Sequence, residues 1–233
     1  MALTSKKIIC AAVALLCAGV AGGAFAKTGT TEPTHYLFMP TARINQPGEL
    51  VLGLHEISYA FPGKLQIQAS ILDNIGRLSL AAKYGFHKNL AGGVGLASTF
   101  ISGDFVEGGA HGVPENARAR IGAFLTYEFG RPHYGLVLTG HTQIGDHFSI
   151  GADLGGRITP SSVWSFLWET GLSADLTDKA IYLYGIGGLR FNVGVPGLFI
   201  DVGAQALEFN IKHFGKGAPH AGMYFDIMYC FKP

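Results

Sequence analysis

The chain has 233 residues, a formal net charge of +1, 34 glycines and only 14 % charged residues. With no basic cluster, nucleic acid is excluded as a partner. No apolar run after the first 26 residues approaches the roughly 20 residues of a spanning helix, which excludes a helical membrane protein.

Taken in chain order, residues 1–26 come first. Lys6 and Lys7 precede an apolar run over 8–20, and Ala24-Phe25-Ala26 follows. That is a basic start, an apolar stretch and a small-residue cleavage site, so a cleaved secretory signal peptide is expected, with one domain over 27–233. Cys10 and Cys17 lie in the signal. Cys230 is then the only cysteine left, and no internal disulfide can form.

From there the sequence alternates. Over 77–86 (RLSLAAKYGF), Leu78, Leu80, Ala82, Tyr84 and Phe86 fall on one face of a strand, and Arg77, Ser79 and Lys83 on the other. The same period predicts strands near 35–41, 49–60, 65–72, 77–86, 90–101, 117–129, 134–144, 147–158, 163–175, 180–193, 198–211 and 220–231. Pro40 interrupts the first. After Ala206 the pattern slips by one residue, as a bulge would require. Turn chemistry separates the segments, as in Phe61-Pro62-Gly63-Lys64 and Val195-Pro196-Gly197, so neighbours are antiparallel. About twelve strands are expected, with ten the alternative.

A soluble sandwich would alternate in the same way, with its apolar face inward. Two features point to the opposite arrangement. Tyr59, Phe61, Tyr84, Phe86, Tyr127, Phe129, Tyr134, Trp164, Tyr229 and Phe231 fall at one end of up-and-down strands, as a membrane-interface girdle does. The one long connection, 102–116, follows the fifth strand, which puts it opposite the termini. The fold class expected is therefore all-β, an antiparallel up-and-down transmembrane barrel with its polar faces inward.

These residues resemble bacterial outer-membrane β-barrel proteins as a broad class, over the whole chain after the signal. Such proteins end in an assembly signal of the form polar-x-Gly-x-x-apolar-x-apolar, and His220 to Ile227 fits it, with Gly222, Phe225, Ile227 and the later Phe231 in its marked positions. The resemblance implies a bacterial outer membrane location. It also implies outer-membrane lipid, lipopolysaccharide and the barrel-assembly machinery as partners. Lys232-Pro233 after Phe231 departs from the usual aromatic terminus.

The candidate site residues follow from the inward faces. Arg118, Arg120, His141, Gln143, His147, Asp153, Arg157 and Glu169 are expected to line the lumen and set its selectivity. A three-residue loop at 144–146 would set Gln143 opposite His147 and His141 opposite Ser149. His147-Phe148-Ser149 is similar to the His-x-Ser pair of outer-membrane lipid A deacylases, so His141, His147, Ser149 and Asp153 are the catalytic candidates, although a lumen-facing pair suits lipid cleavage poorly. No metal or cofactor is expected. Small inward residues such as Gly93, Gly95, Gly122, Gly135, Gly151 and Gly155 predict some bore, with no large plug domain. The leading reading is a non-enzymatic narrow pore for small polar or anionic solutes. The alternatives are a lipid or lipopolysaccharide hydrolase, and a structural or assembly barrel with a partner-binding loop.

Overall fold

A computed structural model describes residues 33, 35, 37, 39–70, 77–99, 119–131, 133–145, 148–177, 179–210 and 222–232. The signal segment, the 102–116 loop, Arg118, His147 and His220 lie outside the described residues. The described strands are β1 Leu50–Gly53, β2 Ile57–Phe61, β3 Leu65–Ala69, β4 Arg77–His87, β5 Leu90–Thr99, β6 Ala119–Arg131, β7 Tyr134–Gly145, β8 Phe148–Ile158, β9 Trp164–Asp175, β10 Ala180–Asn192, β11 Leu198–Asn210 and β12 Gly222–Phe231. Each pairs antiparallel with the next, and β12 closes onto β1. Closure leaves no open sheet edge where strand meets strand, which a wall set in hydrocarbon demands.

Period-2 alternation decides what each face meets. Outward positions such as Val94, Ile121, Leu125, Leu138, Ile150, Ile158 and Leu172 are exposed, Ile121 at 61 %. Inward positions such as Lys83, Thr126, Asp153, Glu169, Arg190, Asp201 and Asp226 are buried. An exposed apolar band of this size around a polar interior is the inverse of a soluble core. At the barrel end that holds both sheet termini (the near end), Tyr59, Phe61, Tyr84, Phe86, Tyr127, Phe129, Tyr134 and Trp164 all face outward and are exposed. Tyr59 packs edge-on to Phe61, and Tyr84 to Phe86. Tyr229, expected in the same girdle, is buried and stacks on Phe231.

Among the described residues twelve strands are present, but not the twelve expected. Among the described residues of 35–41 none joins the wall, and a single bridge, His35 to Pro40, marks strand-like pairing there. Residues 49–60 are two strands, because the chain turns over Leu54, His55 and Glu56 between Leu52 and its β2 partner Ile57. The slip near Ala206 is a bulge: Gly185 pairs with Leu207 and Ile186 with Gln205, so Ala206 is skipped.

Candidate functional site

The interior is filled at the near end. The described residues of 33–49 lie in the lumen, where His35 is bridged to Pro40, and lead to the start of β1. An extended segment with no neighbouring strand leaves its backbone N–H and C=O groups in need of partners. Wall side chains supply them. Leu37 N–H donates to Glu169 Oε1 at 2.6 Å and Met39 N–H to the same oxygen at 3.0 Å. Arg190 Nη2 donates to the His35 carbonyl at 3.2 Å, and Lys83 Nζ to the Thr41 carbonyl at 3.3 Å. Asn45 N–H donates to Gln66 Oε1. Side chains of the segment add two ion pairs: Arg43 to Glu128 at 2.9 Å, and His35 Nδ1 to Glu56 Oε2 at 2.6 Å.

Burial opposes the charged forms of both members of the His35–Glu56 pair. Each charge nevertheless stabilises the other more than burial penalises it. The His35 imidazole is held above its ordinary 6.5, and the Glu56 carboxyl is held down to about 2.

The tip of the segment is apolar. Leu37 and Met39 pack against Val137, Leu167, Ile186 and Tyr224, all buried inward residues of the wall. A side chain added at Gly188 would meet Leu37 Cδ2 at 3.2 Å, so that glycine leaves the room Leu37 occupies. The lumen is thus crossed at mid-height by a greasy layer, where the expected bore would run. Below it, Arg190 grips Asp201 through both Nε and Nη2, at 2.7–3.2 Å.

Above the layer lies a polar chamber. His141 Nδ1 lies 2.9 Å from Asp153 Oδ2. The His141 ring sits over Gly151, and Asp153 and Tyr184 sit over Gly171, where any Cβ would collide with them. Arg120 Nη1 donates to Gln143 Oε1 at 3.5 Å. Ser149, Ser173 and Asp175 stand on the same inward faces toward the far end.

Of the residues expected to line the lumen, Arg120, His141, Gln143 and Asp153 therefore share this chamber. Arg157 is buried on the inward face of the near half, and Glu169 holds the inserted segment. The expected hairpin register is corrected: β7 runs to Gly145, which sets Gln143 opposite Ser149 and His141 opposite Gly151. Ser149 is one inward row from His141, so these residues are not aligned as a nucleophile and its base. Among the described residues no cluster of His, Cys, Asp and Glu could hold a metal ion. Gly222, Phe225, Ile227 and Phe231 all lie on β12, with Phe225 exposed to the outside.

No family model and no curated protein matches this sequence. Among solved structures, the NanC porin superposes with a TM-score of 0.50 at 10 % identity, over 79 % of this chain and 99 % of that one. An outer membrane channel from Pseudomonas putida F1 gives 0.49 at 13 % identity, over 86 % and 99 %. At such identity the likeness is one of fold: this chain shares the closed antiparallel barrel of an outer membrane porin.

Proposed function

We propose that the chain is a bacterial outer-membrane barrel, exported by a signal peptide cleaved after Ala26, that gives small polar or anionic solutes a narrow path gated by its own residues 33–49. The near end then faces the periplasm and the far end the exterior. The observation that carries this reading is the inserted segment. It is held through its backbone by wall charges and sealed by Leu37 and Met39, directly beneath a polar chamber open to Arg120, His141, Gln143 and Asp153.

An apolar layer across a pore blocks ions by excluding water, and moving the segment would open the path. The proposal includes contact with lipopolysaccharide and assembly through the β12 signal at Gly222, Phe225, Ile227 and Phe231. The test is conductance in planar bilayers with the folded mature chain. Rare, small, brief openings are expected, becoming frequent once the segment's anchors are removed. Silence from both the unaltered chain and an anchor variant, at every pH, would refute gated conduction.

A further inference from the structure

The wall is not of even height. β1 and β2 have 4 and 5 residues, whereas β10 and β11 have 13 each. At about 3.3 Å per residue the β1–β2 hairpin rises ~13–17 Å before any tilt, against ~43 Å for the longest strands. The apolar band of an outer-membrane barrel is about 25 Å tall. This hairpin, like β3 with its 5 residues, therefore ends inside the thickness of a bilayer that the longer strands β4 to β12 span.

The ladder between β1 and β12 stops at the Gly53–Met228 pair, while β12 runs on along β11 to Gly222. Among the described residues no strand stands beside that upper part of β12 on the β1 side, and Met223 there is 89 % exposed.

The top of the hairpin is tied into the barrel through Asp226 and Tyr224, both buried on the inward face of β12. Leu54 N–H donates to Asp226 Oδ1 at 2.8 Å, His55 Nε2 lies 3.2 Å from the Phe225 carbonyl, and the His55 ring stacks on Tyr224. Backbone left in hydrocarbon has no partner, whereas headgroups and their water supply donors and acceptors. The outward residues Tyr59 and Phe61 of β2 continue the aromatic girdle, so this face is continuous with the lipid-facing belt.

We infer that headgroups of outer-leaflet lipids descend over the β1–β2 hairpin to the level of Leu54 and His55, and that they bind along the upper edge of β12 beside Gly222 and Met223. The inference rests on the membrane-barrel reading. The bilayer is thinned on this side, which bends lipids toward the barrel where the described strands are short.

The test uses the full mature chain in liposomes, with a nitroxide attached in turn at Leu54→Cys, Leu138→Cys and Ile150→Cys. The native Cys230 is fully buried and stays unlabelled. Leu138 stands four residues above the start of β7, as Leu54 does above the start of β1. A water-soluble relaxant should act on the label at 54 as strongly as on one at the exposed Lys64 turn, and should leave 138 and 150 shielded. Shielding at all three positions overturns the inference and leaves the barrel in the membrane. Exposure at all three overturns the membrane reading itself. Met223→Cys, at a side chain already in the open, repeats the measurement if Leu54→Cys does not fold.

Discussion

Removing the carboxylate of Glu169 should unseat the inserted segment. Its Oε1 accepts two backbone N–H groups, from Leu37 and Met39, in a buried setting. A hydrogen bond to a charged group contributes about 1.5–3 kcal/mol, so the pair contributes ~3–6 kcal/mol to the closed arrangement. At about 1.4 kcal/mol per tenfold change, Glu169→Ala raises the ratio of open to closed by ~10²–10⁴. Glu169→Gln keeps one acceptor oxygen at the same reach but loses its charge, and it should fall between the two. Single-channel recording in planar bilayers reads the ratio directly as open probability. Resistance of the folded barrel to unfolding in detergent, followed by its shift on gel electrophoresis, checks that the wall is intact. If wild type, Gln and Ala variants share one open probability while all remain folded, the segment does not gate the lumen.

Leu37→Ala removes the apolar seal without touching a charge. Core truncations of this kind cost about 2–5 kcal/mol, so leak through liposomes should rise while the detergent-resistant fold persists. Arg190→Met strips Asp201, fully buried, of its two-pronged partner. Breaking such a pair costs about 3–5 kcal/mol, visible as a lower urea midpoint. The His35–Glu56 pair gives a pH window. The raised imidazole contributes fully below its ordinary 6.5 and loses that contribution as pH rises through its folded value. The depressed carboxyl contributes fully above its ordinary 4.5 and loses that contribution as pH falls toward about 2. Open probability should therefore be lowest between pH 4.5 and 6.5, and His35→Gln should flatten both limbs, because His35 is what holds the Glu56 carboxyl down against its burial.

The barrel itself was legible because lipid and lumen impose opposite demands on alternate residues, and 77–86 or 119–131 satisfy both at most positions, with Phe124 an inward exception. The aromatic rim was legible because interfacial rings must recur at one height. What misled was the segment around His35, Leu37, Met39 and Thr41. Its alternation is that of a strand, and the lumen selects for the same period as the wall when one side of a segment packs on an apolar layer. The clue present in the sequence was inward apolar residues, Val137, Leu167 and Ile186, which have no reason to face a watered bore. Residues 49–60 read as one strand because Leu54-His55-Glu56 carries no glycine or proline. That turn is held instead by Asp226 of β12, a contact 172 residues away that no local pattern encodes. The β7–β8 register failed for a related reason: glycines at 145 and 151 allow more than one pairing, and the His141 ring settles it by occupying the space above Gly151.

The inserted segment also changes what the lumen charges are for. Glu169, Arg190, Lys83 and Gln66 would ordinarily be read as a lining for solutes, yet each makes a hydrogen bond to the backbone of 33–49. A group committed to holding a peptide plane is not available to sort ions while that plane is in place. Discrimination between solutes therefore falls to the chamber above Leu37 and Met39, where Arg120 and the His141–Asp153 pair stand side by side on the adjacent strands β6, β7 and β8. The two halves then separate by experiment. Neutralising Arg120 should move the reversal potential in a salt gradient and leave open probability alone, whereas Lys83→Met should do the converse. A shift of reversal potential from Lys83→Met with unchanged gating would mean that solutes pass through the near half with the segment still seated.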